Sequence, residues 1–422
     1  MILLIKNITV IDAASSYHMQ CVDILIRDGI ISDISKNIAS EKNVIVYDGS
    51  GKHISAGWFD MRVNFCEPGN EHKEDLHSGC EAAAAGGFTD VLLMPSTQPP
   101  IDNKAQVEFI KNKAQELNVE IHIAGCMTAK REGQELAELN DMKQAGAIAF
   151  TDDKRAISNL HLMQIISTYA KNIDVPIIHF CEEKSLTHTV GVNESATTTS
   201  LGFKGTPSLS EEMAIQRTLS ITEYTNTPIH ISCISTSNSV DLIRQAKAKK
   251  IMVTCDVAIH NLILDDAHIK TFDANFKVVP PMRSKKDIDA LIEGLKDGTI
   301  DCIVSDHTPQ DMESKRVEFE FALPGIIGTQ ILFGLAHTYL YQHLTLEVLL
   351  QKITTNPRNI LKLQTITIEK NMAAKLTIFD KDAEWIVTEN NLKSKSKNTP
   401  FIGWRLKGRP LAIVNKNKFS EV

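Results

Sequence analysis

The residues able to do chemistry in this chain stand at the ends of regularly spaced apolar runs. Arg62 and Asn64 end the first run and Ser96 follows the second; Asp153, His179 and Cys233 come at the fourth, fifth and sixth; His260 follows the seventh, and Asp306 and His307 the eighth. Carboxylates, imidazoles and thiols are the groups that move protons or ligate metal ions. The guanidinium of Arg62 does neither, because it offers no lone pair and stays protonated. Each residue also has a plainer reading. A cysteine on an apolar strand packs as a small hydrophobe, and an interior histidine such as His179 needs only a hydrogen-bond partner. His260, next to Asn261, reads as structural; His230 lies on the other face of its strand; Asp152 reads as a loop-capping carboxylate.

The runs themselves lie near 54–65, 89–94, 120–126, 147–151, 176–181, 228–235, 251–256 and 301–306, with amphipathic stretches between them. One such stretch, Glu81 to Ala85, ends at Gly86 and Gly87, a pair suited to a helix C-cap. Short apolar runs alternating with helical patterns predict parallel strands covered by helices. Eight such units predict an α/β fold with a closed (β/α)8 TIM barrel, which builds its site at the C-terminal rim of the strands. A doubly wound open sheet is the alternative. The segments 1–53 and 368–422 alternate polar with apolar residues and carry turn signals such as Arg27-Asp28-Gly29 and Asp48-Gly49-Ser50-Gly51. They predict a small β-sandwich-like domain assembled from both ends, with the barrel, 54–367, inserted between them.

Composition narrows the function classes. The 422 residues are 43% hydrophobic, enough for a large core, and carry a net charge of -7 without a basic run. That balance speaks against a nucleic-acid or anionic-membrane partner. No apolar stretch reaches the roughly 18 to 20 residues that span a bilayer, and the N-terminal segment reads as a strand, not a signal peptide. Eight cysteines without a C-x-x-C pair fit reduced thiols of a cytoplasmic protein.

The stretch from Ala56 to Gly69, AGWFDMRVNFCEPG, resembles the opening strand of the dihydroorotases, Pro-Gly-x-x-Asp-x-His-x-His-x-Arg-x-Pro-Gly. Segments 68–75, 78–79, 84–89, 94–97, 150–153, 179–182, 280–284, 306–309 and 395–401 follow the long bacterial pattern of that family in order. The chain is thereby similar to amidohydrolases that hydrolyse and close the dihydroorotate ring in pyrimidine biosynthesis. The resemblance implies a metal-dependent hydrolase barrel with two zinc ions, which lower the pKa of bound water from about 15.7 toward about 7. It places Asp153 as the bridging carboxylate, His179 as a ligand, and Asp306 as the proton acceptor. Arg62 and Asn64 stand where the first metal's two histidines belong, and Cys233 where the sixth-strand histidine belongs. Cys66, Ser96 and Gln310 replace the arginine, asparagine and histidine that grip the substrate, and Val279 replaces a further asparagine.

These departures set the expectations. Arg62 is expected to fill the space of the first metal and pair with Asp153. Zinc is expected to be absent or limited to one ion on Asp153, His179 and Cys233. The chain then reads as a catalytically impaired dihydroorotase homologue that persists as a folded partner of aspartate transcarbamoylase, with which some family members assemble, or of itself. The alternatives are a single-zinc hydrolase of a less anionic cyclic amide, using Asp306, and a dihydroorotase with a rearranged site.

Overall fold

The computed structural model describes residues 1–40, 43–188 and 191–422. Its strands form two sheets. The first takes β1 (Ile2–Val10), β2 (Cys21–Arg27), β3 (Ile30–Ser35), β4 (Ile45–Asp48) and β5 (His53–Ala56) from one end of the chain. The barrel follows with β6 (Trp58–Val63), β7 (Phe88–Leu93), β8 (Glu120–Gly125), β9 (Ala147–Phe150), β10 (Ile177–Phe180), β11 (Ile229–Ser232), β12 (Val253–Ala258) and β13 (Cys302–Val304). From the other end, β14 (Leu376–Ile386), β15 (Arg405–Asn415) and β16 (Lys418–Glu421) complete the first sheet.

The barrel strands run parallel in sequence order from β6 to β13. Strands buried on both faces read as continuous apolar runs, and β6 and β7 are buried along their whole length. One layer of side chains, including Phe59, Met61, Leu92, Ala124, Ile178, Cys233 and Val304, forms a core of its own. A larger cluster with Val63, Val91, Ile123, Ile231 and Ile303 packs under the helices. A bridge between Val63 and His307 draws the first and last strands together, where the Asn64 amide donates to the His307 carbonyl at 2.8 Å.

The expected strand 54–65 divides in two. Ala56 pairs with Leu376 in the terminal sheet, whereas Trp58 pairs with Phe88 in the barrel. Between them Gly57 donates to the Lys375 carbonyl at 2.9 Å, and a Cβ there would sit 2.2 Å from Thr89 Oγ1. The close approach of the barrel's second strand makes the break, which no hydrophobic pattern records. The expected run 228–235 is likewise cut to β11 and 301–306 to β13, because Cys233 (φ 55°) and Asp306 (φ 52°) turn into the left-handed region. The helix Leu76–Ala85 does stop at Gly86, with Gly87 at φ 84°. It starts at Asp75, which accepts from the Ser78 amide in a capping box.

The terminal sheet is a single hydrogen-bonded path, β16-β15-β14-β5-β1-β2-β3, with β4 on β1. Leu3, Ile5, Val22, Ile24, Leu376 and Ile378 are among the side chains of its core. Trp58 joins it to the barrel base, with its ring 4.5 Å from Phe333 and 5.6 Å from Phe379. Among the described residues no helix is long and apolar enough to cross a membrane.

Replacing Gly57 by valine forces β6 away from Thr89. An overpacked core of this kind costs about 1–3 kcal/mol, so the urea midpoint of Gly57→Val should fall clearly below that of the parent; an unchanged midpoint would refute the close-packing account.

Candidate active site

At the barrel mouth the deciding group is the Arg62 guanidinium, only 1% exposed. Its Nε donates to Asp306 Oδ1 at 2.9 Å, one terminal nitrogen donates to Asp153 Oδ1, and the other to Ser232 Oγ at 2.8 Å. One cation thus spans carboxylates from the fourth and eighth barrel strands. The second oxygen of each carboxylate is also engaged. Asp306 Oδ2 accepts from Lys154 Nζ, which also donates to the Val279 carbonyl. Asp153 Oδ2 accepts from Ser96 Oγ and lies 3.7 Å from Arg131.

The backbone aims these groups. Asp153 (φ 54°), Cys233 and Asp306 all take left-handed conformations as they leave their strands, a costly geometry for non-glycine residues that turns side chains into the mouth. Burial works to raise the Asp153 carboxyl, but Arg62, Arg131 and the Ser96 hydrogen bond outweigh it and hold it below the usual range. Burial likewise works against charge on Arg62, and the carboxylates of Asp153 and Asp306 reverse that, so the guanidinium stays protonated.

The expected zinc donors are arranged differently. Burial pushes the Cys233 thiol well above its ordinary value despite the nearby Arg62, and its side chain belongs to the inner barrel core. Its amide donates to Asp256 at 2.7 Å, and Asp256 pairs with His230 Nε2 at 2.8 Å. His179 is held neutral, its pKa lowered to about 4 by burial and then by Arg217. Its Nδ1 faces Thr218 Oγ1 at 3.2 Å, and its Nε2 accepts from the Ile157 amide at 3.5 Å. His260 lies 3.9 Å from Asp306, lowered to about 4 mainly by burial, with neither ring nitrogen hydrogen-bonded among the described residues. His307 accepts from the Gly328 amide through Nδ1 at 3.2 Å. Asp152 accepts from the Met127 and Thr128 amides and so holds its loop.

Of the positions expected in the substrate pocket, Arg62 and Ser96 donate to the two carboxylates, and the Val279 carbonyl accepts from the Lys154 that donates to Asp306. Cys66 and Gln310 make no hydrogen bond to either carboxylate. Cys66 turns at φ 61°, its thiol pushed up to about 12 by burial. The Gln310 side chain is tied to Lys73 and to the Pro324 carbonyl, each at 2.9 Å. Asn64 is buried, with its amide on the closing bridge. The sequence reading missed Lys154 and Ser232, which complete the charge and hydrogen-bond balance. The available signal for Lys154 was a lysine directly after the bridging aspartate.

The family model described as dihydro-orotase-like matches residues 51–239. A dihydroorotase from Acetivibrio thermocellus is 40% identical over 98% of both chains. This chain belongs to the dihydroorotase family. A dihydroorotase from Ruminiclostridium cellulolyticum is 42% identical over 97% of this chain and 96% of its own. Among solved structures, the L-hydantoinase (dihydropyrimidinase) of Arthrobacter aurescens superposes with a TM-score of 0.88 at 23% identity, covering 99% of this chain and 96% of its own, a likeness of fold.

Dihydroorotases are metal-dependent amidohydrolases, so the mouth can be tested for the ions the family implies. The donors present do not fit them. A guanidinium lies on both carboxylates, the thiol is held protonated, and the imidazole nitrogens of His179 face protein partners. Among the described residues, one trio of ligand-type side chains has its donor atoms mutually within 4.8 Å: Asp90, Glu120 and His122. It stands near the starts of β7 and β8, away from the mouth, and does not include Asp153, His179 or Cys233. Lys375 donates to Asp90 at 2.7 Å and to Glu120, and Arg358 donates to Asp90, so cations of the chain balance this trio.

Two measurements probe this centre. Breaking a buried ion pair by removing one partner costs about 3–5 kcal/mol, so Arg62→Met should lower the unfolding free energy by that order in denaturant titrations; a loss below about 1 kcal/mol, the scale of an exposed pair, would refute it. The second is pH. His179 and His260, near 4 when folded against an ordinary 6.5, bind fewer protons folded than unfolded, so their stabilisation is present above 6.5 and lost as pH falls toward 4. Asp60, raised by burial from 3.8 to about 6, has the opposite sign and offsets one of them over most of that window. His53 and His337, also lowered by burial, act in the same direction as the two histidines, and Glu182, raised by burial, opposes them; the melting temperature should fall as pH drops from 6.5 toward 4, and His260→Asn should make that fall shallower.

Proposed function

We propose that this dihydroorotase-family protein neither hydrolyses nor closes the dihydroorotate ring, and that it serves pyrimidine biosynthesis as a folded cytoplasmic partner of aspartate transcarbamoylase. The observation that carries the reading is the Arg62 guanidinium joining Asp153 to Asp306. Opening a cyclic amide near neutral pH needs an activated water and a free base to take its proton. Asp306 has one oxygen on Arg62 and the other on Lys154, so each oxygen that would take that proton already accepts from a cation of the chain. The substrate's carboxylate would also meet Cys66, Ser96 and Gln310 where the family presents an arginine, an asparagine and a histidine; losing a charged bidentate contact of this kind costs a few kcal/mol.

A barrel outlasts its chemistry because its stability lies in the packed layers of strands and helices, while the site is grafted on the rim. A partner role needs only the folded frame. The free state of all eight cysteines accords with the cytoplasm.

The test is turnover of dihydroorotate and of carbamoyl aspartate by protein purified without chelator and supplied with zinc, beside the Acetivibrio thermocellus dihydroorotase as positive control. No turnover is expected, together with co-elution with co-expressed aspartate transcarbamoylase that survives Asp306→Asn. Turnover abolished by that substitution, with one zinc per chain lost in Cys233→Ala, would replace this reading by the single-zinc hydrolase.

A further inference from the structure

At the end of the barrel opposite the mouth, the starts of β10, β11 and β12 and the residues Asn359, Ile360 and Lys362 line a cavity of about 560 Å3. Ile177, Ile229 and Val253 are buried in its wall, and Met252 lines it while 40% exposed. Four lysines, at 171, 247, 250 and 362, and two aspartates, at 174 and 301, border this apolar surface. Lys247 is paired with Asp301 at 2.8 Å and Lys362 with Asp174. Among the described residues, Lys171 and Lys250 have no carboxylate partner, and Lys171 donates to the Thr225 carbonyl at 3.2 Å. The lining therefore carries two positive charges in excess.

We propose that this cavity is a binding site for a small amphipathic monoanion, an apolar ring or chain bearing one carboxylate or sulfonate. Its volume falls in the roughly 300–1,000 Å3 range of small-molecule sites, which combine mostly apolar walls with a few polar groups that fix orientation. The apolar body buries against Ile177, Val253 and Met252, and the anion takes the open charge of Lys171 and Lys250. A neutral molecule of the same shape gains the burial without the ion pairing. A divalent anion loses more hydration than two exposed ammonium groups return. The site draws on no residue of the barrel mouth and stands independently of the proposed function.

The probe is 8-anilinonaphthalene-1-sulfonate, titrated by fluorescence into the full chain, with N-phenyl-1-naphthylamine as its neutral counterpart. Saturable binding of one anion per chain is expected, at least tenfold weaker in Lys171→Glu/Lys250→Glu and weakened in Met252→Trp, whose indole takes up part of the cavity. Both lysines are exposed, so the double charge reversal should fold; a thermal melt checks this and keeps the test decisive if Met252→Trp does not fold. Non-saturable binding, an affinity that the double variant leaves within twofold, or equal binding of the neutral probe would overturn the proposal.

Discussion

One guanidinium between two buried carboxylates sets the terms for the whole barrel mouth. Desolvating an ion costs several kcal/mol, recovered only when its partners are close and its remaining donors are satisfied. Arg62 meets that condition with Asp306, Asp153 and Ser232. Lys154, Arg131 and Ser96 then complete the two carboxylates from their outer sides. In a family whose members hold metal ions, positive charge here comes from the chain itself, and it is fixed in place by covalent bonds.

The rest of the fold serves this arrangement by geometry. Left-handed residues at the strand ends turn Asp153 and Asp306 toward Arg62, and the bridge from Val63 to His307 keeps the first and eighth strands in register. At the other end, Asp90 gathers His122, Arg358 and Lys375 into a second buried charge network. Both ends are thus pinned by ion pairs, with an apolar layer between them.

The barrel and the sheet built from both ends were legible in the sequence because continuous apolar runs and alternating ones bury differently. The pairing of Arg62 with Asp153 was also legible, since an arginine in place of a metal ligand has few other ways to satisfy a buried charge. What escaped depended on distant backbone. The break at Gly57 is dictated by Thr89, more than thirty positions later, and the second cation on Asp306 comes from a loop on the far side of the barrel. Cys233 stood at a ligand's position but also read as a small packing residue, and the turn that shortens β11 leaves its thiol in the inner core, where desolvation governs.

The pairing of β5 with β14 has a consequence for how the protein is made. Ala56 finds Leu376 only after the entire barrel has been synthesised between them, and contacts so distant in sequence form late because their loop-closure entropy must first be met. On the ribosome, β13 and the segment closing the barrel at 307 and 326 are made before β14 exists. The barrel can therefore assemble while the first sheet still offers the bare edge of β5. That edge, on a half-built sheet, is the stretch of nascent chain most open to pairing with a wrong strand.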